Sequence, residues 1–239
     1  MPDVSDKTLS SHFEALLDDG KRTKASQLTE TLRDAIVDGK LAPNSKINLY
    51  KVRKEFGVSL TPLREALARL IPDGLVSFQD NCGYRVTPMS VESLKEVTKL
   101  RVEVETFALR EACRIGNKEW ESAVINNLHI LNKCKRDTSN VASLATWEIL
   151  HRNYHLSLIS GCRMELLEGF CRKLMNLNDR YRRAFLRETS GDSSVAQEHN
   201  EIAMAAISRD ADFACELLGQ HINRTGENLF RHMTSSQNK

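Results

Sequence analysis

From residue 48 onward the apolar positions fall into two short helical repeats. Asn48 precedes a run whose apolar side carries Val52 and Phe56, and Gly57 closes it where a positive φ costs nothing. Ser59 or Thr61 can cap a second helix, with Pro62 in a first turn that needs no intrahelical N–H from it. Leu63, Ala66, Leu67 and Leu70 then recur at i, i+3, i+4 and i+7, which buries one face and presents Thr61, Arg64, Glu65 and Arg69 on the other. Pro72, Asp73 and Gly74 stop that helix. Leu75 to Gln79 and Tyr84 to Thr87 read as short strands joined through Asp80, Asn81, Cys82 and Gly83, a hairpin with glycine at its tip. Two helices and a hairpin in this order predict a winged helix-turn-helix, whose second helix can offer its polar face to a DNA major groove. A generic helix pair with a hairpin shares the periodicities, but three linked elements in this order make it the poorer reading.

Past a hinge at 89–92, where Ser90 can cap the next helix, the pattern turns helical throughout. Residues 91 to 235 contain no proline and six glycines, most of them expected at helix ends. The repeats predict six helices, about 91–115, 118–136, 141–160, 164–188, 193–208 and 210–233, packed as an all-α antiparallel bundle in a second domain over 93–239. The fold class is therefore mainly α, with a small β-hairpin wing in an N-terminal domain over 21–88.

Histidines enter the apolar stripes of three of these helices. Leu144, Trp147, His151, Tyr154, His155 and Leu158 share one stripe; His199 lies with Val195, Ile202, Ala203 and Ala206; His221 lies with Ala214, Leu217, Leu218 and Thr225. An unsatisfied polar group in an apolar core costs about 1 to 3 kcal/mol, and one metal ion can satisfy several imidazoles at once. A lone inward histidine is ordinarily a hydrogen-bonded core residue; four in one domain make a metal site an equally good reading.

Charge sharpens the first domain. The whole chain of 239 residues has a net charge of only +2, yet residues 21 to 88 hold twelve Lys and Arg against seven Asp and Glu, about +5. That is the distribution a phosphate-facing module needs. Residues 1–20 are acidic and read as a disordered tail, with only Phe13, Leu16 and Leu17 as an apolar cluster. There is no apolar run long enough for a membrane span and no signal-peptide pattern, so the expected location is the cytoplasm. The six cysteines, Cys82, Cys113, Cys134, Cys162, Cys171 and Cys215, include no Cys-x-x-Cys pair and read as small hydrophobes.

The string GVSLTPLREAL followed by DGLV and GYRV, within residues 24 to 88, resembles the N-terminal domain of the GntR family of bacterial regulators. The resemblance implies that Ser59, Thr61, Arg64 and their neighbours at the start of the second helix contact double-stranded operator DNA. It also implies that the Gly83 wing approaches the minor groove and that Lys51 and Arg53 lie near phosphates. The family usually has arginine, suited to guanine O6 and N7, where this chain has Leu60, for which a thymine methyl is one alternative contact.

The second domain resembles the FCD effector domain of the FadR-type branch of that family, an antiparallel bundle in which many members hold a divalent metal with three histidines and an acidic or amide side chain. By position His155, His199 and His221 match the histidines, and His151 stands in place of the acidic or amide ligand. An all-imidazole set favours zinc or nickel over manganese or magnesium. The resemblance also gives Arg101 the role of gripping a small organic acid effector; the plain alternative is an ion pair with Glu105 four residues on. A homodimeric repressor follows from the same likeness.

Two other classes are weighed. HRNYH at 151–155 has the spacing of a zinc-protease HExxH, but Arg152 replaces the general base, so a metal-dependent hydrolase is a poor reading and no enzyme is expected. A cysteine redox sensor would use Cys162 and Cys171, beside Arg163 and Arg172.

Overall fold

The computed structural model describes residues 23–185 and 194–237. The predicted tail at 1–20, the expected helix ends within 186–193, and Gly191 lie outside the described residues. Contacts divide the chain into two compact units, Met1–Met89 and Ser90–Lys239.

In the first unit, α1 (Lys24–Val37), α2 (Leu49–Glu55) and α3 (Leu60–Leu70) precede the strands β1 (Val76–Gln79) and β2 (Gly83–Val86). Asn48 caps α2, its Oδ1 accepting from the N–H groups of Tyr50 and Lys51 at 3.0 Å each. Gly57 then turns the chain at φ +61°. Ser59 takes the N-cap position of α3 but makes no side-chain capping bond, and Thr61 lies inside the helix, which corrects the expected cap. The cause is Pro62: it stands third in the helix, where an N-cap hydroxyl would normally find an N–H, and proline has none.

Leu63, Ala66, Leu67 and Leu70 are fully buried against Leu28, Leu32 and Ile36 of α1 and against Leu75 and Val86 of the hairpin. The strands are antiparallel, with Val76 opposite Val86 and Gln79 opposite Gly83. Strand β1 is therefore one residue shorter than expected and β2 begins and ends one residue earlier, so that Gly83 is the first residue of β2 rather than the tip. Asn81, at φ 63°, makes the left-handed turn, which asparagine tolerates better than most residues.

The second unit is a bundle of α4 (Val91–Ile115), α5 (Lys118–Lys133), α6 (Val141–Ile159), α7 (Glu165–Phe185), α8 (Ser194–Ile207) and α9 (Ala211–Gln237), with a 3-10 turn at Ser160–Cys162. Ser90 caps α4 by accepting from Ser93 N–H at 3.0 Å, so residues 91 and 92 of the expected hinge are helical. Helix α5 ends three residues before the expected 136, because Asp137 starts a turn by accepting from the N–H of Ser139 at 2.9 Å. Asn140 then caps α6.

Helix α4 is the spine. It runs antiparallel to α7, with the Cys171 thiol 3.8 Å from the Val104 carbonyl and the Tyr181 hydroxyl donating to the Ser90 carbonyl at 3.1 Å. It also runs antiparallel to α9, where glycine sits in mid-helix instead of at an end. A Cβ at Gly226 would fall 2.6 Å from Thr98 Cγ2, so the absence of a side chain sets how closely these helices approach. Gly169 and Gly219 are likewise interior.

Candidate functional site

Two groups of side chains stand out, one in each unit. On the first, Leu60, Thr61 and Arg64 are exposed along the start of α3, and Lys51 and Arg53 are exposed on α2. Arg64 makes no ion pair among the described residues, whereas Arg69, one turn further on, is held by Glu65 at 2.5 Å and by Ser26 at 2.9 Å. Arg53 lies over the Tyr50 ring at 5.4 Å. On the wing, Arg85 donates to the Asn44 carbonyl and ties the hairpin to the preceding loop. The cation left to reach outward from α3 is Arg64.

The second group is the histidine cluster. Stripes on α6, α8 and α9 converge, so that ligand-capable nitrogens of His151, His155, His199 and His221 all lie within 4.8 Å of one another, and all four residues are buried. His151 Nε2 and His155 Nε2 are 3.2 Å apart. Two nitrogens bound tetrahedrally to zinc at about 2.0–2.1 Å would be separated by about 3.3 Å. This pair is already at ligand spacing, and the remaining nitrogens lie within 4.8 Å.

Burial is the first cause holding all four imidazoles below their ordinary pKa, well below for His151, His155 and His199. Mutual repulsion and the nearby Arg182 push the same way. They are therefore neutral, the form that coordinates metal. His155 Nδ1 and His199 Nε2 are buried without a hydrogen-bond partner, the kind of orphaned atom a metal or its ligand would satisfy. His221 is different: its Nδ1 is 2.8 Å from Glu198 Oε2, which opposes the effect of burial and leaves Nε2 for the cluster. Arg224 grips the same carboxylate, with Nη2 at 2.5 Å. The Tyr154 hydroxyl donates to the His199 carbonyl at 2.7 Å and locks α6 to α8 beside the site.

A cleft of about 590 Å³ opens onto three of these histidines, and its wall includes Arg136, Arg182, Arg224, Trp147, Thr225 and Asn228. Arg136 and Arg182 lie 5.5 and 5.8 Å from the Trp147 ring. Both approach Glu148, Arg182 through a two-point contact at 3.1 and 3.2 Å and Arg136 at 3.9 Å. Such a wall is suited to an anion.

Arg101 occupies another place. With His151 and His155 it borders a void of about 10 Å³, room for no more than a water, and is buried in a two-point pair with Glu105 at 2.6 and 3.2 Å. The i,i+4 ion pair set beside its effector role in the sequence is thus present. The residues not foreseen are Arg136, Arg182 and Arg224. Arg182 had a signal: it falls on the inward stripe of α7 with Cys171, Met175 and Asn178, where a charge needs a reason.

The cysteine reading finds no support in the geometry. Cys162 and Cys171 are buried, and burial raises both thiols, Cys171 to about 12, the opposite of activation. Arg152, in the position a hydrolase would give to its base, is paired with Asp179 at 2.6 Å. No helix among the described residues is long and apolar enough to cross a membrane.

Comparison with known proteins bears on both units. Residues 24–86 match the family described as bacterial regulatory proteins, gntR family, and residues 96–224 match the FCD domain. The HTH-type transcriptional regulator BphR of Paraburkholderia xenovorans (strain LB400) is 33% identical, over 81% of this chain and 80% of its own length. The HTH-type transcriptional repressor GlaR of Escherichia coli (strain K12) is 29% identical over 80% of this chain and 89% of its own. Among solved structures, Escherichia coli McbR/YncC superposes with a TM-score of 0.73 at 16% identity, covering 88% of this chain and 98% of that one. A GntR regulator from Rhodococcus sp. RHA1 gives a TM-score of 0.69 at 20% identity, covering 87% and 98%. These two likenesses concern the fold.

Proposed function

The chain belongs to the gntR family of bacterial regulatory proteins, with an FCD effector domain, and is a DNA-binding transcriptional regulator; from that premise we propose that it acts as a homodimeric repressor whose grip on its operator is controlled by a small organic acid bound beside a metal ion. Residues 21–88 serve the operator and residues 93–239 the effector. The likeness to a named repressor supports the direction of control.

At the DNA, Ser59, Leu60, Thr61 and Arg64 at the start of α3 enter the major groove, with Arg64 the side chain able to pair bidentately with a base edge. Leu60 offers an apolar contact, which fits a thymine methyl and not a guanine. Lys51 and Arg53 bear on phosphates, and the Gly83 hairpin flanks the minor groove.

The observation that carries the effector reading is a cluster of four buried neutral imidazoles, three of which face a cation-lined cleft. His151, His155, His199 and His221 would hold the ion, zinc or nickel by donor type, and the ion would supply a positive centre for a carboxylate oxygen. The cleft arginines then orient the rest of the acid, Arg182 across the Trp147 face and Arg136 beside it. Arg101, committed to Glu105, adds positive potential from behind the cluster instead of direct contact. Effector binding draws α6, α8 and α9 together, and this change is coupled to operator affinity by about 1 to 3 kcal/mol in typical cases.

The test is metal analysis of the purified full-length protein and of His155→Ala, followed by calorimetry with a panel of mono- and dicarboxylates. About one ion per chain, lost in His155→Ala, together with acid binding that requires the ion, is the expected result. Absence of metal after purification and after added zinc or nickel overturns the metal part of the reading.

A further inference from the structure

The cleft beside the histidines reaches further than a metal-bound carboxylate requires. His221, Thr225, Asn228 and His232 of α9 all line it, at i, i+4, i+7 and i+11, and so share one face of that helix. At 1.5 Å per residue this stripe runs about 16 Å along α9 from the cluster to His232. We propose that the effector is a polyhydroxylated aliphatic monocarboxylate of about six carbons, at about 1.5 Å per bond, with its carboxylate at the cluster and its hydroxyl-bearing chain along Thr225 and Asn228. This class rests on the reading of the bundle as an acid site and narrows it.

The α9 wall holds neutral hydrogen-bonding capacity that the fold leaves unused. Thr29, Thr31, Thr106, Thr146 and Thr234 each lie within a helix and donate to the carbonyl one turn back. Thr225, also within a helix, makes no side-chain hydrogen bond to another described residue, so its hydroxyl can both donate and accept in the cleft. Asn228 accepts from Arg231 through Oδ1, which leaves its two amide N–H donors for a ligand. Thr225 and Asn228 stand about 6 and 10.5 Å beyond His221 along the helix axis. An acid anchored at the cluster meets them with the middle and the end of its chain.

Other acids fit this wall less well. The cations that could seat a second carboxylate are already compensated from behind: Arg182 is held by Glu148 at 3.1 and 3.2 Å, and Arg224 by Glu198 at 2.5 Å and by Ser194 at 2.7 Å. Arg136 also approaches Glu148, at 3.9 Å. A second carboxylate would have to improve on those partners, whereas a hydroxyl brings no charge to desolvate. Lys135 lines the cleft too, but it is exposed, and an ion pair there is worth little. An aromatic acid would need a ring to stack on. Trp147 is the one Trp, Tyr or Phe of the wall among the described residues, and it has His151 stacked on it at 4.8 Å and Arg136 and Arg182 over it at 5.5 and 5.8 Å. A plain alkyl acid would displace water from Thr225 and Asn228 and give them nothing in return, which a site of this kind turns into discrimination.

Calorimetry of the zinc-loaded full chain tests this with mannonate, galactonate and gulonate, hexonates that differ in hydroxyl stereochemistry, against 2-hydroxyhexanoate and adipate. The 2-hydroxy acid keeps the hydroxyl that can chelate an ion and has none to offer α9. At least one hexonate should bind about tenfold or more tighter than both, as two added neutral hydrogen bonds imply. Thr225→Val and Asn228→Ala, each at a partly exposed position and each checked for unchanged helical content, should lower that preference by about fivefold. 2-Hydroxyhexanoate or adipate binding at least as tightly as every hexonate overturns the class and leaves the acid site standing. A hexonate preference untouched by either substitution overturns the placement along α9. If no acid binds, the acid-site reading falls and the class with it.

Discussion

The two units use arginine in opposite ways. On α3, Arg64 is exposed and makes no ion pair among the described residues, while in the bundle Arg101 and Arg182 are buried and each is held by two contacts to a carboxylate. An exposed guanidinium has lost little hydration and is available to a polyanion. A buried one has already surrendered its water, and the carboxylate that compensates it is part of the fold. The first is a binding group by default; the second becomes one only if a ligand can improve on the partner it already has.

That contrast can be pressed hardest with pH. The four cluster histidines have folded-state pKa values depressed by burial. In the unfolded chain they take up protons below about pH 6.5, whereas in the fold His151, His155 and His199 resist until much lower pH and His221, beside Glu198, is lowered less strongly. Stability is therefore complete above about 6.5 and falls as the medium is acidified, by up to about 1.4 kcal/mol per pH unit for each histidine. Metal-stripped protein should lose several kcal/mol between pH 7.5 and 5.5 in denaturant titrations. A flat profile would mean that the cluster is hydrated and not buried.

Next in size is Glu105→Ala. It strands Arg101 without its carboxylate and should cost about 3 to 5 kcal/mol of stability, read from denaturant midpoints. Arg64→Ala, by contrast, should leave the midpoint unchanged and remove about 1 to 3 kcal/mol of operator affinity in a gel-shift titration at fixed salt. If the two exchanges had similar effects on folding, the distinction between the units would fail. An effect of similar size is expected of Glu198→Gln. Metal affinity, measured by competition with a chelator, should fall about 10-fold and no more than about 100-fold, since the amide oxygen still accepts from His221 Nδ1 but no longer supplies charge.

Legibility followed the same line. The recognition helix announces itself locally: Gly57, Pro62 and the Leu63–Leu70 stripe are neighbours in sequence, and each acts through its own backbone or its own turn. Errors there were small and had local causes, such as Pro62 denying Ser59 a donor. The histidines were legible as three inward stripes, because an imidazole among leucines and alanines breaks a pattern. Their convergence on one point came from the family resemblance and not from the stripes themselves, since it depends on how the helices cross. Arg136 and Arg182 escaped notice because charged residues are read as solvent-facing, and it is the partner Glu148 on another helix that helps to make their burial tolerable.

One feature of the cleft makes the protein its own indicator. The chain has two tryptophans. Trp120 is sealed in the core with its indole N–H donating to the Ser157 carbonyl at 3.0 Å. Trp147 stacks on His151 at 4.8 Å between centroids and also faces Arg136 and Arg182. Its emission senses the electronic state of that imidazole and the charge across its ring, so an ion or an acid arriving in the cleft should alter its intensity and colour, while Trp120 supplies a steady background. Effectors can therefore be sought by titrating candidate acids in a fluorimeter, with no label and no knowledge of the operator.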